Sequence, residues 1–324
     1  MNSSQNPSRN APRPRPAESA ENLPSPASSP TGAAGFYRKD IEEIFVAVPG
    51  GRLFTLQWGS GPLLVFTHAT GLCARAYLGL LGPLGRSFRV VAYDARGHGR
   101  TELEADPAQI PTDWRIFRDD LAHLVRALGE GQARLAGHSF GGSVSLETAA
   151  EHPGLASSVL LIDPPSVPFA QVAEVRAMRA AGQPPAGLLA QQAERRRAHF
   201  ESRAEIRAAY HQRGAFRGWP EQALDDYLDG GLVDDGNGVR LACAPAFEAA
   251  CYRGITSTLA DSFAKPLPPP TLLLAGEQSM VPPDMETLLR ERCPTMAAHR
   301  FPGAGHFLAI THADLLRPYL AAMP

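Results

Sequence analysis

The chain is predicted to be an α/β protein with a doubly wound, mostly parallel sheet and an inserted helical segment. Three observations predict it. Short, almost wholly apolar runs recur (Leu63–Phe66, Val90–Tyr93, Arg134–Ala136, Val159–Ile162 and Leu272–Ala275), as in parallel strands buried on both faces. Helix-like segments separate most of them, which is the alternation of a doubly wound sheet. That alternation breaks off after Asp163, and helical periodicity takes over before the last apolar run.

The elements follow in order. Residues 1–35 are dense in Ser, Pro, Asn and Ala, as in Pro12-Arg13-Pro14-Arg15-Pro16. Such a segment buries too little apolar surface to offset its ordering entropy, so it is read as a disordered tail without the apolar core of a secretory signal. Ile44–Val48 and Leu53–Leu56, joined through Pro49-Gly50-Gly51, read as an opening antiparallel hairpin. Trp114–Leu128 reads as a helix, with Phe117, Leu121, Leu124, Val125 and Leu128 on one face and Gly129 as its stop. The predicted core is 36–163 with 267–324, and the helical insertion is 164–266. Within the insertion, Ala170–Ala181, Leu188–His199, Ala204–Gln212 and Glu221–Leu228 read as helices. A helix from about Ala313 to Met323 ends the chain.

With 324 residues and 44% hydrophobic composition, the chain can build a sizeable core. The 31 Lys and Arg nearly balance the 33 Asp and Glu, so no global field favours nucleic acid or an anionic membrane. Glu194-Arg195-Arg196-Arg197 is read as the solvated face of a helix. No apolar run reaches the length of a membrane span. Cys73, Cys243, Cys251 and Cys293 form no metal-ligand spacing, and they read as packed free thiols in a reducing cytoplasm. No metal and no cofactor is expected.

Gly137-His138-Ser139-Phe140-Gly141 carries the chemistry. It follows a short apolar run and precedes a helix-like segment. A serine at a sharp strand-to-helix turn sits in strained backbone, so its neighbours two residues either side must be small. The helix beyond it points its first amides at any anion formed there. Three further motifs surround it: His68-Ala69-Thr70-Gly71 after a strand, Asp94-Ala95-Arg96-Gly97-His98-Gly99-Arg100 after the next, and Gly303-Ala304-Gly305-His306-Phe307 near the C-terminus.

These four motifs, in this order, make the chain from about Phe36 onward resemble the α/β-hydrolase fold family. The resemblance implies Ser139 as nucleophile and His306 as base, with the backbone amides of Thr70 and Phe140 as the oxyanion hole. It also implies that the inserted helical segment 164–266 is a cap over the active site. Ala69 stands where the family usually has glycine. His68, His98 and His138 are read as architectural. The family commonly places its acid in G-x-x-D after the strand Leu272–Ala275, but here Gly276-Glu277-Gln278-Ser279 puts Ser279 at that position. Asp163, at the end of Val159–Ile162, is the favoured substitute because some members carry the acid there. Glu277 and Asp284 remain as alternatives, and a strand-end aspartate can equally shape the entry to the cap.

A serine rather than an aspartate at the elbow argues against halide or epoxide chemistry. The leading expectation is cleavage of a small to medium carboxylic ester, thioester or lactone through an acyl-enzyme. The small-molecule substrate is expected to carry an apolar part, because Phe169, Met178, Phe200, Phe216, Trp219 and Tyr227 lie in the cap. Two alternatives stay open: a C–C hydrolase or lyase on the same residues, and a non-catalytic homologue that binds a small hydrophobic ligand.

Overall fold

A computed structural model describes residues 38–109, 114–183, 187–262, 264–266, 271–281, 283–292 and 297–324. The predicted tail and Cys293 lie outside the described residues. Eight strands form one sheet: β1 (Glu42–Val48), β2 (Gly51–Trp58), β3 (Leu63–Thr67), β4 (Arg89–Tyr93), β5 (Ala133–His138), β6 (Ala156–Ile162), β10 (Thr271–Gly276) and β11 (Ala297–Phe301). Their spatial order is β1-β2-β4-β3-β5-β6-β10-β11. The first two pairings, β1 with β2 and β2 with β4, are antiparallel, and the remaining five are parallel. The opening hairpin turns through Pro49-Gly50, with Val48 paired to Gly51 and Gly50 at a φ of 86°.

The period of two along each strand divides the core into two layers. Leu64, Phe66, Val90, Ala92, Leu160 and Ile162 point to one face, where Leu316 and Leu320 of the C-terminal helix cover them. Leu63, Val65, Val91, Tyr93, Leu135, Val159 and Leu161 point to the other. There they meet α1 (Arg115–Leu128) and α2 (Phe140–Glu151). Helix α1 is amphipathic as its sequence predicts, and Gly129 caps it in the left-handed region at φ 72°. Helix α2 is different. Only its last residue is not buried, so small residues (Gly141, Gly142, Ser143, Ser145, Ala149, Ala150) replace the usual polar face and let neighbouring elements come close.

Between β6 and β10 the chain forms α3 (Val172–Ala180), α4 (Leu188–Glu194), α5 (Arg203–Tyr210), α6 (Glu221–Gly231) and α7 (Pro245–Arg253). This insertion is not purely helical. β7 (His199–Phe200), β9 (Val239–Leu241) and β8 (Leu232–Asp234) make a three-stranded antiparallel sheet, so the predicted helix Leu188–His199 stops at Glu194. Strands this short carry no readable period, although Gly236-Asn237-Gly238 is a turn signal of the hairpin kind. Helix α7 and the edge strand β11 also lacked a clear pattern. Among the described residues no helix is long and apolar enough to cross a membrane.

Phe117 of α1 lies edge-on to Phe140, the first residue of α2, with ring centroids 4.7 Å apart and an interplanar angle of 90°. Trp114 meets the same ring at 4.9 Å. The start of α2 therefore rests on an aromatic floor supplied by α1. Phe117→Ala is expected to lower stability by about 3–5 kcal/mol, through lost burial and the cavity left under α2, as a reduced denaturant midpoint shows.

Candidate active site

Ser139 stands between β5 and α2 with φ 55° and ψ −125°, one of three described non-glycine residues at positive φ. The turn is possible only because two neighbours lack side chains. A Cβ on Gly137 would lie 2.2 Å from the Gly141 carbonyl oxygen, and one on Gly141 would lie 2.1 Å from that of Thr67. The Ser139 N–H donates to Ile162 O at 2.7 Å, which ties the strained residue to the end of β6. The strain is thus held by the surrounding sheet.

Asp163 leaves β6 at φ 48°, and its N–H donates to Leu274 O of β10 at 2.8 Å. Its side chain is fully buried and is saturated with donors. Ser279 Oγ–H donates to Oδ1 at 2.5 Å, and Met280 N–H donates to Oδ2 at 3.0 Å. His306 Nδ1–H donates to Oδ2 at 2.5 Å. Burial pushes the carboxyl group's pKa up, but the bonds from His306, Ser279 and Met280 outweigh it, and the net shift is downward. A carboxylate only accepts, so Nδ1 of His306 carries the proton and Nε2 is left to accept from Ser139 Oγ–H at 3.0 Å. Ser139, His306 and Asp163 form one hydrogen-bonded chain. The two alternative acids are engaged elsewhere: Glu277 accepts from Gly303 N–H at 2.8 Å and Asp284 from Phe169 N–H at 2.8 Å. Ser279, at the position where the family commonly has its aspartate, donates to Asp163 instead.

Thr70 lines the same cavity as Ser139 and His306. Among the described residues, neither the Thr70 N–H nor the Phe140 N–H has a protein acceptor, whereas the amides on either side of Thr70 are taken. Ala69 N–H donates to Tyr77 Oη at 3.0 Å, and Gly71 N–H donates to His98 Nε2 at 3.0 Å.

The remaining histidines of the motifs are fixed as neutral rings. His68 accepts from Ala95 N–H at Nε2 (2.9 Å) and donates from Nδ1 to Ala69 O (2.8 Å). His98 donates from Nδ1 to Arg96 O at 3.0 Å. His138 donates from Nε2 to the His306 carbonyl at 2.8 Å and accepts from Tyr77 Oη–H at Nδ1 (2.7 Å). Burial drives all three pKa values down, to about 3 for His68, about 4 for His98 and about 3 for His138. Burial also pushes the Asp94 carboxyl up to about 6. It accepts from Ala74 N–H at 2.8 Å and Arg100 N–H at 2.9 Å, holding the turn that carries His98.

The cavity in front of Ser139 has a volume of about 730 Å³. Of the six side chains expected to make it apolar, only Phe200 and Phe216 line it. Trp219 and Tyr227 are buried in the aromatic stack behind it, and Phe169 and Met178 do not reach it. Its charged lining was missed. Arg196 is not on a solvated helical face: α4 ends at Glu194, and the Arg196 guanidinium faces the cavity and pairs with Glu248 of α7. No local pattern announces a pair 52 residues apart. Cys73 packs away from the cavity, with its thiol against Tyr227 O. Among the described residues, no group of three or more His, Cys, Asp or Glu is arranged to hold a metal ion.

Two outcomes follow from this geometry. Ser279→Ala removes one donor from a buried carboxylate, so the Asp163 pKa rises and turnover falls by about tenfold or more. A pH–rate profile displaced on its acid side separates this from simple loss of protein. The second concerns stability. A neutral buried histidine refuses a proton that the unfolded chain accepts below pH ~6.5, so its contribution is present at neutral pH and is lost as pH falls. Asp94, raised rather than depressed, works in the opposite direction between its ordinary value and about 6. Three depressed histidines outnumber the one raised aspartate, so stability falls as pH drops from ~6.5 toward ~4. Urea midpoints at pH 7 and pH 5 measure this, and equal midpoints contradict it.

Comparison with known proteins agrees with the fold. The model of the alpha/beta hydrolase family matches residues 64–317. The 2-(acetamidomethylene)succinate hydrolase of Mesorhizobium japonicum is 28% identical over 251 residues, covering 77% of this chain and 83% of that protein. Among solved structures, E-2-(acetamidomethylene)succinate hydrolase superposes with a TM-score of 0.66 at 24% identity, covering 86% of this chain and 97% of that one. The thioesterase domain from the curacin biosynthetic pathway also gives 0.66, at 20% identity, covering 87% and 99%. With the family model spanning most of its length, the chain belongs to the alpha/beta hydrolase family.

Proposed function

We propose that the protein is a serine hydrolase that cleaves a small to medium carboxylic ester, or a thioester or lactone, through an acyl-enzyme. The observation that carries this is the hydrogen-bonded chain from Ser139 through His306 to Asp163, opening into a cavity beside two unengaged amides.

In the proposed mechanism, Ser139 Oγ attacks the carbonyl carbon while its proton passes to His306 Nε2. The resulting imidazolium is stabilised by Asp163, whose carboxylate also holds the ring in the tautomer that accepts. The carbonyl oxygen becomes an oxyanion held by the Thr70 and Phe140 N–H groups, at the positive end of α2. Each such donor typically contributes about 3–4 kcal/mol to the barrier reduction. The tetrahedral species collapses, His306 returns its proton to the leaving oxygen or sulfur, and the alcohol or thiol departs. Water then repeats the sequence on the acyl-enzyme, with His306 again as base, and releases the acid and free Ser139.

A second reading has one specific observation in its favour. The relative from Mesorhizobium japonicum is named for hydrolysis of 2-(acetamidomethylene)succinate, an acetamido compound. The same residues would then attack an amide-type carbonyl, with the nitrogen leaving after protonation by His306.

The test is intact-mass analysis after treatment with a fluorophosphonate, followed by peptide mapping. One adduct on Ser139 is expected, together with turnover of 4-nitrophenyl butyrate. Ser139→Ala is expected to abolish the adduct and to reduce turnover by on the order of 10⁵ without changing the fold. Comparison with the matched anilide distinguishes the two readings. No adduct on Ser139 would overturn both.

A further inference from the structure

The cavity wall opposite the elbow poses a question that acyl transfer alone does not answer. Its charged lining consists of Arg196, Arg197 and Arg213 against Glu248, besides His306. Three guanidiniums against one carboxylate leave the wall positive. Arg197 is compensated by Glu205 outside the cavity, but no acidic partner exists for Arg213 among the described residues. Low-dielectric walls concentrate such a field at the mouth.

Arg196 is the least exposed of the three, and its partner Glu248 is buried. One Nη1–H donates to Glu248 Oε2, and Nη2 donates to Tyr210 Oη at 3.1 Å and Tyr227 Oη at 3.4 Å. A guanidinium has five N–H donors, so two remain without a protein acceptor among the described residues. The pair also lies against the loop that carries Thr70. A Cβ on Gly71 would come within 2.5 Å of Glu248 Oε1 and 3.4 Å of Arg196 Nη1. Packing alone does not account for such a pair, because a buried ion pair is no more stable than apolar residues of similar size. Burial works against the charge, but Glu248 and the tyrosine oxygens hold Arg196 firmly protonated.

We infer that the substrate carries, besides the bond to be cleaved, a carboxylate that docks on the free N–H groups of Arg196, with Arg197 and Arg213 drawing it in at the mouth. The inference rests on the acyl-hydrolase reading of the same site and adds the substrate class: a half-ester, half-thioester or half-amide of a dicarboxylic acid. A monoanion fits the wall better than a phosphate dianion does, because Glu248 stands beside Arg196 and repels the second charge. The pair fixes orientation too. With the carboxylate on Arg196, the other end of the acyl chain points along the 69–71 loop toward Ser139.

The test is calorimetric titration of the Ser139→Ala protein, which cannot form the acyl-enzyme, with monobenzyl glutarate and with benzyl 5-methylhexanoate. The two esters have the same shape and differ in the terminal carboxylate. The anionic ester is expected to bind at least about tenfold more tightly at low ionic strength, the equivalent of one charge-assisted hydrogen bond. The preference should shrink as salt is added. In the Arg196→Gln/Glu248→Gln double variant, which leaves no unpaired buried charge, it should fall to near unity. If that variant does not fold, Arg196→Lys, which keeps the charge but loses the fork, should lower the affinity for the anionic ester alone. Equal affinity for the two esters, or a preference intact in the double variant, overturns the inference. Failure of the hydrolase reading shows separately, as absence of the fluorophosphonate adduct on Ser139.

Discussion

Two missing Cβ atoms set the geometry from which the rest of the site is built. The elbow at Ser139 closes only because the 137 and 141 positions let main chain pass within 2.2 Å of where a side chain would begin. That closeness packs the start of α2 against β5 and against the 67–68 main chain at once. Thr70 and Ser139 line one cavity as a result. The strained φ of Ser139 is affordable because its own N–H is bonded to Ile162 and its helix is buried throughout. A looser turn would leave the same residues in the chain and no common place for them to meet.

The second anchor is charge buried on purpose. Asp163 accepts three donors from two segments: the main chain and hydroxyl of the 279–280 loop, and the ring of His306. Its placement depends on strand pairing as well, since β6 and β10 run in parallel register and Asp163 N–H continues their ladder to Leu274. Around this single carboxylate, the other ionisable groups of the motifs are kept neutral or paired. His68, His98 and His138 are held in defined tautomers by backbone partners, so they act as rigid spacers between loops rather than as charges. This polar framework is fully bonded, which is the condition under which buried polar groups add rigidity.

Much of this was legible in the residues themselves. The apolar strands announce a buried parallel sheet, the elbow announces its own strain, and Gly129 announces the end of α1. Asp163 was legible only as a preference, because a strand-end aspartate followed by proline has two common roles and local pattern cannot separate them. The main chain at positive φ, and the donors that converge from 116 and 143 residues away, resolve where it points. The insertion between β6 and β10 was the least legible part. Strands of two or three residues have no period, and the Arg196–Glu248 pair joins the turn after α4 to α7 at a cavity that exists only after folding. A run of arginines is solvated in most chains, and here a local rule gives way to a non-local partner.

The chain of bonds from Ala69 N–H to Tyr77 Oη, from Tyr77 to the His138 ring, and from that ring to the His306 carbonyl has a mechanical meaning. His138 directly precedes the proposed nucleophile, and it grips the main chain of the proposed base. The same chain ends on the loop whose next amide faces the cavity. Ser139, His306 and the 69–71 loop are therefore clamped to one another through Tyr77 and His138, neither of which lines the cavity. The spacing between them is a property of the empty protein, so an arriving molecule does not have to assemble the site. Its binding energy remains available to bring the carbonyl carbon up to Ser139.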